Sequence, residues 1–253
     1  MEPLSILVTV VVVVLFYLLF KYIYSEPYIL QSIQNGQTAS IIDAKSLATN
    51  GSGISSSNFA YSVWFYINNW NYRYGEEKVI FGRMGATSAQ GAGYSKDVNG
   101  VDPCPTVVLG EIENNVLITL GCFPGVDQKP TTPGSNTVLH TCSVSNVPIQ
   151  KWVNLTVSVY GRSMDVYIDG KLVRTCLLPG VASVNNDANI YVTPNGGFEG
   201  WTAKLQYYPN SLNPQEAWNI YTQGYSSWAS MFNSYQVQVS LVENGTTQSS
   251  ITI

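Results

Sequence analysis

The stretch from Leu4 to Tyr24 reads LSILVTVVVVVLFYLLFKYIY, with Lys21 its only charge. As a helix this run is about 31 Å long, the thickness of a bilayer's hydrocarbon core. Tyr17, Tyr22 and Tyr24 suit the aromatic belt at a membrane interface, and Lys21 can extend its ammonium to the headgroups. A cleaved signal peptide fits less well: there is no basic leading region, the apolar run is too long, and no small-x-small site follows it. The run is also several times the length of a buried strand. A retained single-pass anchor over residues 1–24 is therefore expected, with the lipid bilayer as partner.

Which side of the membrane the remainder occupies is left open. Glu2 precedes the run, whereas Lys21 and Lys45 follow it, which favours a cytoplasmic C-terminal domain. Four cysteines (Cys104, Cys122, Cys142 and Cys176) and three sequons (at Asn50, Asn154 and Asn244) point instead to an oxidising lumen or exterior. The four cysteines allow three pairings, and the sequence does not choose among them. With no Cys-x-x-Cys and one histidine, they do not read as a zinc site.

Charged residues make up 11% of the chain, against about 25% in an ordinary soluble domain, so the polar surface must be built from Ser, Thr, Asn and Gln. That composition suits a secreted protein or one enclosed in a larger assembly. Net charge is −4 and no basic run exceeds two residues, which argues against a nucleic-acid partner.

Beyond a linker over 25–36, which opens a polar, Gly/Ser-rich stretch over 25–58, strand signals follow one another closely. A short candidate lies at residues 39–42. In FAYSVWFYINNW, residues 59–70, Phe59, Tyr61, Val63, Phe65 and Ile67 fall on one face. Further strands are expected over 78–83, 106–110, 115–123, 137–144, 152–160, 164–168, 171–176, 188–192 and 198–207, with Gly/Ser/Pro loops over 84–105 and 124–136. Short strands between turn clusters define an all-β sandwich. Asp169-Gly170 is a two-residue hairpin signal that places Val166 and Ile168 toward the core and Tyr167 on the other side. One helix is expected near 213–223, with Asn213 as N-cap, Pro214 at N1, Glu216 at N3 and Gly224 as its stop.

Three segments carry a family resemblance: FAYSVWFYINNW, KWVNLTVSVYGRSMDVYIDGKLVRT and GGFEGWTAKLQYYPNSLNPQEAWNIY. Together they resemble the core strand, the Tyr-Ile-Asp-Gly-Lys hairpin and the closing strand with terminal helix of laminin-G-like, concanavalin A-like jelly rolls. The resemblance implies a jelly-roll sandwich over 37–224, preceded by the transmembrane helix. Its motifs are structural, so they speak to fold more than to function. An anchor joined to a jelly roll of this composition also resembles minor capsid proteins of large icosahedral DNA viruses with an inner membrane. That resemblance implies a non-enzymatic structural protein of the virion, linking the inner membrane to capsid-protein neighbours. The alternative is a cell-surface lectin-like or adhesion protein that binds glycans and carries a glycan on Asn154 and formed disulfides.

Catalytic readings find little support. One glucanase family on this fold uses Glu-x-Asp-x-x-Glu; here Glu111-Ile112-Glu113 lacks the third acid, Val116 stands in its place, and the segment reads as a turn. His140, the one histidine, sits in an alternating strand with no nucleophile-elbow sequence anywhere. No cofactor is expected. The loop with oxygens in close spacing, Asp97, Asn99 and Asp102, is a weak calcium candidate lacking the EF-hand pattern. Tyr72, Tyr74 and Tyr94 lie in loops, where exposed rings can stack on sugars. Past the jelly roll, residues 225–253 hold an alternating strand, with Tyr235, Val237, Val239 and Leu241 on one face, expected to pair with a sheet edge of its own domain or of a neighbour.

Overall fold

The structure is a computed structural model that describes residues 11–19, 28–47, 57–85, 102–131, 135–226, 238–243 and 246–252. Residues 11–19 form helix α1. The strands are β1 (Ile29–Gln31), β2 (Gln34–Asn35), β3 (Ser40–Ile42), β4 (Phe59–Asn69), β5 (Lys78–Gly85), β6 (Asp102–Leu109), β7 (Val116–Cys122) and β8 (Val138–Val144). They continue with β9 (Trp152–Tyr160), β10 (Ser163–Ile168), β11 (Lys171–Leu177), β12 (Ile190–Val192) and β13 (Glu199–Tyr208); helix α2 (Pro214–Thr222) follows, then β14 (Gln238–Glu243) and β15 (Thr246–Thr252).

Two antiparallel sheets make the sandwich, which spans Tyr28–Tyr225. The front sheet runs β1-β13-β4-β9-β10-β11, with β2 also on β13; the back sheet runs β3-β12-β5-β6-β7-β8. The alternation in β4 performs as the period of two requires. Phe59, Tyr61, Val63, Phe65 and Ile67 are almost wholly buried in the core. They meet Val153, Leu155, Val157 and Val159 from β9, and Leu109, Val116, Ile118 and Leu120 from the back sheet.

At the Asp169-Gly170 turn both residues have positive φ, 50° and 71°. This is the backbone twist that joins two neighbouring strands in two residues. Glycine is required there twice over, since a Cβ on Gly170 would lie 2.9 Å from Tyr221 Cβ in α2. Helix α2 carries the expected capping box: Asn213 Oδ1 accepts from Glu216 N, and Glu216 Oε2 accepts from Asn213 N.

Several expectations need correction. The expected linker over 25–36 contains β1 and β2, both hydrogen-bonded to β13. Strand β6 begins at Asp102, inside the segment read as loop. Its Pro103 and Pro105 lie where the β5–β6 register shifts, a place where a missing N–H is tolerated. In the C-terminal unit β14 pairs with β15 in a hairpin, so Val239 and Leu241 lie in a two-stranded sheet, while Tyr235 and Val237 are outside the described residues. Leu4, Lys21 and Tyr24 are likewise outside them. Among the described residues no helix is long and apolar enough to cross a membrane.

One disulfide forms, and none of the three complete pairings of the four cysteines is realised. Cys142 on β8 is bonded to Cys176 on β11, while Cys104 and Cys122 are buried free thiols. The bond therefore ties the edge of the back sheet to the edge of the front sheet. Burial pushes both free thiols up, which holds them in the unreactive protonated form.

Candidate functional site

The outer face of the front sheet carries the feature that the fold does not require. Several of the residues that alternate away from the core on β4, β9 and β13 are aromatic, and the register sets three of them side by side: Tyr66 lies opposite both Trp152 and Trp201. The Trp201 ring stands 5.6 Å from Tyr66, and Tyr66 stands 5.8 Å from Trp152. Tyr225 stacks on Trp152 at 4.4 Å, within 10° of parallel. The row then runs through Trp64 and Tyr221 to Trp218 on α2, with spacings of 6.0, 5.6 and 5.5 Å. Trp64 is buried beneath α2, but Trp201, Tyr225 and Trp218 remain about 40% exposed.

Beside the row's Trp201 end, Glu199 accepts from Asn68 Nδ2 at 2.9 Å and from Asn69 Nδ2 at 3.1 Å. A fixed carboxylate and two side-chain amides thus flank the rings. Below α2 the outer face turns polar. Asn154 Nδ2 donates to Ser62 Oγ, and Thr156 Oγ1 bonds both Ser62 Oγ and Asn154 Oδ1, all within 3.1 Å and all buried. Asn154 is fully buried, so the folded domain has no room for a glycan there, which corrects the expectation of one.

A second concavity lies at one end of the sandwich. Trp70, Ile112, Glu113, Asn114 and Asn115 line a cavity of about 610 Å³, which shares Ser145 and Asn146 with a neighbouring one of about 430 Å³. Its walls are tied by Val147 N to Asn114 O at 2.8 Å and by Trp70 Nε1 to Ile112 O at 2.9 Å.

The other residues singled out in the sequence do not assemble into a site. Glu111 and Glu113 are exposed on the β6–β7 turn, not on a strand that would align their carboxylates. His140 is a half-buried residue of β8, opposite Leu120. Asp97, Asn99 and Tyr94 are outside the described residues. Asp102 is buried in β6, where its Oδ1 accepts from Thr137 Oγ1 at 2.7 Å and from Ser135 Oγ. Two hydroxyls of the fold thus bond its carboxylate. Among the described residues no cluster of His, Cys, Asp and Glu could hold a metal. Tyr72 is used in the fold, donating to Gly196 O, while Tyr74 is exposed. The aromatic row escaped the loop search because it lies on strands. Its signal was present in the alternation: Trp64 and Tyr66 fall on the face of FAYSVWFYINNW opposite the core residues.

No protein-family model and no curated protein sequence matches the chain. Solved structures do. The ligand-binding domain of botulinum neurotoxin serotype D, in complex with N-acetylneuraminic acid, aligns at a TM-score of 0.51 and 15% identity, over 78% of this chain and 43% of the other. A structure of botulinum neurotoxin type C, whose cell entry is described as dependent on two ganglioside molecules, aligns at 0.51 and 16% identity, over 73% and 40%. The chain thus spans about two fifths of those structures. At such identity the likeness establishes the fold, an all-β sandwich of the kind found in these neurotoxin binding domains.

Proposed function

We propose that this chain is a non-enzymatic binding module, anchored in a membrane by residues 4–24, whose sandwich recognises glycans on the aromatic row of its front sheet. The observation that carries the reading is the open end of the row, where Trp201 keeps 40% of its surface in water beside Tyr66. A folded domain gains nothing from leaving an indole exposed, whereas a sugar ring presents C–H bonds that stack on an aromatic face and hydroxyls that bond amides and carboxylates. Asn68 and Glu199 supply such groups next to Trp201. That similar sandwiches occur in domains solved with N-acetylneuraminic acid, or described as ganglioside-dependent, supports the choice of sugars.

The test is full-length protein in detergent on a glycan array, wild type against Trp201→Ala and Tyr66→Ala. Each ring removed should weaken retention by about three- to tenfold, the worth of one aromatic contact. Near-UV circular dichroism verifies that the variants fold. Retention unchanged in both variants, or no glycan retained by the wild type, refutes the reading.

A second reading uses the same scaffold as a minor capsid protein bridging an inner membrane to a viral shell. Helix α1 serves it as it serves the first reading: Val11, Val12, Val13, Leu15, Phe16, Leu18 and Leu19 are all exposed. A helix apolar all round belongs in lipid or against protein, not in water. Mass spectrometry of purified particles against a plasma-membrane fraction separates the two readings. Protease protection of vesicles reports the side on which the sandwich lies.

A further inference from the structure

The cavity of about 430 Å³ lies where the two sheet edges meet, between the segment that follows β8 and strand β11. Three features of its construction bear on what it takes. The first is a β-bulge. In the β10–β11 ladder Val166 faces Arg174 and Tyr167 faces Leu172, so Val173 is an extra residue. In a regular strand consecutive side chains point to opposite faces. The bulge breaks that rule, and Val173 and Arg174 both line the cavity.

The second feature is charge. Arg174 is exposed, its Nη1 donates to Ser143 O, and it has no ion pair among the described residues. Among the described residues it is the only charged side chain lining this cavity. A guanidinium presents a planar fork of donors that matches a planar carboxylate. The third feature is the remaining lining. Ser143, Ser145 and Asn146 offer hydroxyl and amide groups, while Val144, Val147, Pro148, Ile168 and Val173 offer apolar surface. The volume is within the range of small-ligand pockets and suits one substituted sugar ring. The Cys142–Cys176 bond, beside Ser143 and two residues beyond Arg174, fixes the spacing of the walls.

We infer that this cavity is a second binding site, distinct from the aromatic row, for a sugar acid whose carboxylate is held by Arg174. None of its lining residues belongs to the row, so either site stands if the other fails.

The experiment is ligand-observed NMR titration of the full chain in detergent with N-acetylneuraminic acid, D-glucuronic acid, the methyl ester of each, and acetate. Both acids should bind, and each ester should bind about tenfold more weakly or worse, the weight of a charge-assisted contact. Arg174→Gln should weaken the acids by a similar factor and leave the esters unchanged, with Arg174→Lys between. Trp201→Ala should leave the preference for acid over ester as it is. Reduction of the disulfide should weaken acid binding. Equal binding of acid and ester, an unaffected Arg174→Gln variant, or no binding of either acid overturns the site. Acetate binding as tightly as the sugar acids overturns the sugar in the assignment.

Discussion

Removing the Cys142–Cys176 bond is the perturbation whose size the structure states most directly. The bond closes a loop of 34 residues and joins the edge strands of opposite sheets. In the chain-entropy account, opening such a loop frees about 13 cal/mol/K in the unfolded chain, or about 3.7 kcal/mol at 25 °C. For a domain of this size each kcal/mol moves the melting temperature by about 2–4 °C. Cys142→Ala/Cys176→Ala should therefore melt about 7–15 °C below the wild type. Scanning calorimetry with and without a phosphine reductant provides the internal control. Reductant should lower the wild type toward the double variant and leave the double variant unmoved. Cys104→Ala and Cys122→Ala should each keep the reductant response, since those thiols are free and buried. The reasoning fails if the double variant melts within a degree or two of wild type, or if reductant shifts both proteins equally.

Arg83 is buried among carbonyls, donating to Ala188 O at 3.1 Å, Asn185 O at 2.9 Å and Tyr61 Oη at 3.3 Å. Arg83→Met should cost about 3 kcal/mol, because the stranded acceptors outweigh the relief of a buried charge, and urea unfolding measures it. In the same variant the Tyr61 hydroxyl, which burial already pushes well above its ordinary range, loses the cation that partly offsets that rise. Ultraviolet difference titration should then show it ionising at still higher pH. Gly170→Ala meets both a left-handed backbone and the α2 wall, and should destabilise by about 1–3 kcal/mol in thermal melts. Protein secreted from a glycosylating host should show no glycan mass on Asn154 in peptide mapping, because its amide is enclosed by Ser62 and Thr156.

How far the sequence determined the architecture follows from how local each signal was. Residues 152–177 were legible almost to the residue, because alternation and an Asp-Gly turn are short-range and mutually consistent. The same holds for α2, whose cap is written in four consecutive residues. The misses are long-range. Strands β1 and β2 are too short to carry a pattern and exist only because β13 offers an edge. The start of β6 was hidden by two prolines that the register shift accommodates. The β14–β15 hairpin had its signal in Asn244-Gly245, the pair a two-residue turn prefers, read instead as part of a sequon. The disulfide needed both sheet edges in place before Cys142 could be matched with Cys176 and the other two cysteines left free. The bulge at Val173 left no mark, since KLVRT reads as an unbroken strand.

The aromatic row shows why a structural explanation of a residue must be pressed until it stops covering the facts. Most of the row is accounted for by packing. Trp64 and Tyr221 seal α2 onto the sheet, and Gly170 gives way so that α2 can approach. Tyr225 covers Trp152 as the chain leaves the helix. That account ends at Tyr66. Beyond it Trp201 packs edge-on against Tyr66, with 40% of its surface in water, on a strand whose inner residues already fill the core. An outward position on an antiparallel strand is served equally well by threonine or glutamine, which this sequence uses freely elsewhere. Trp201→Thr should therefore leave the melting temperature within about 2 °C of wild type while glycan retention falls, by the same reasoning that bounds an exposed substitution. A large loss of stability in that variant would return Trp201 to the packing and remove the row's claim to function.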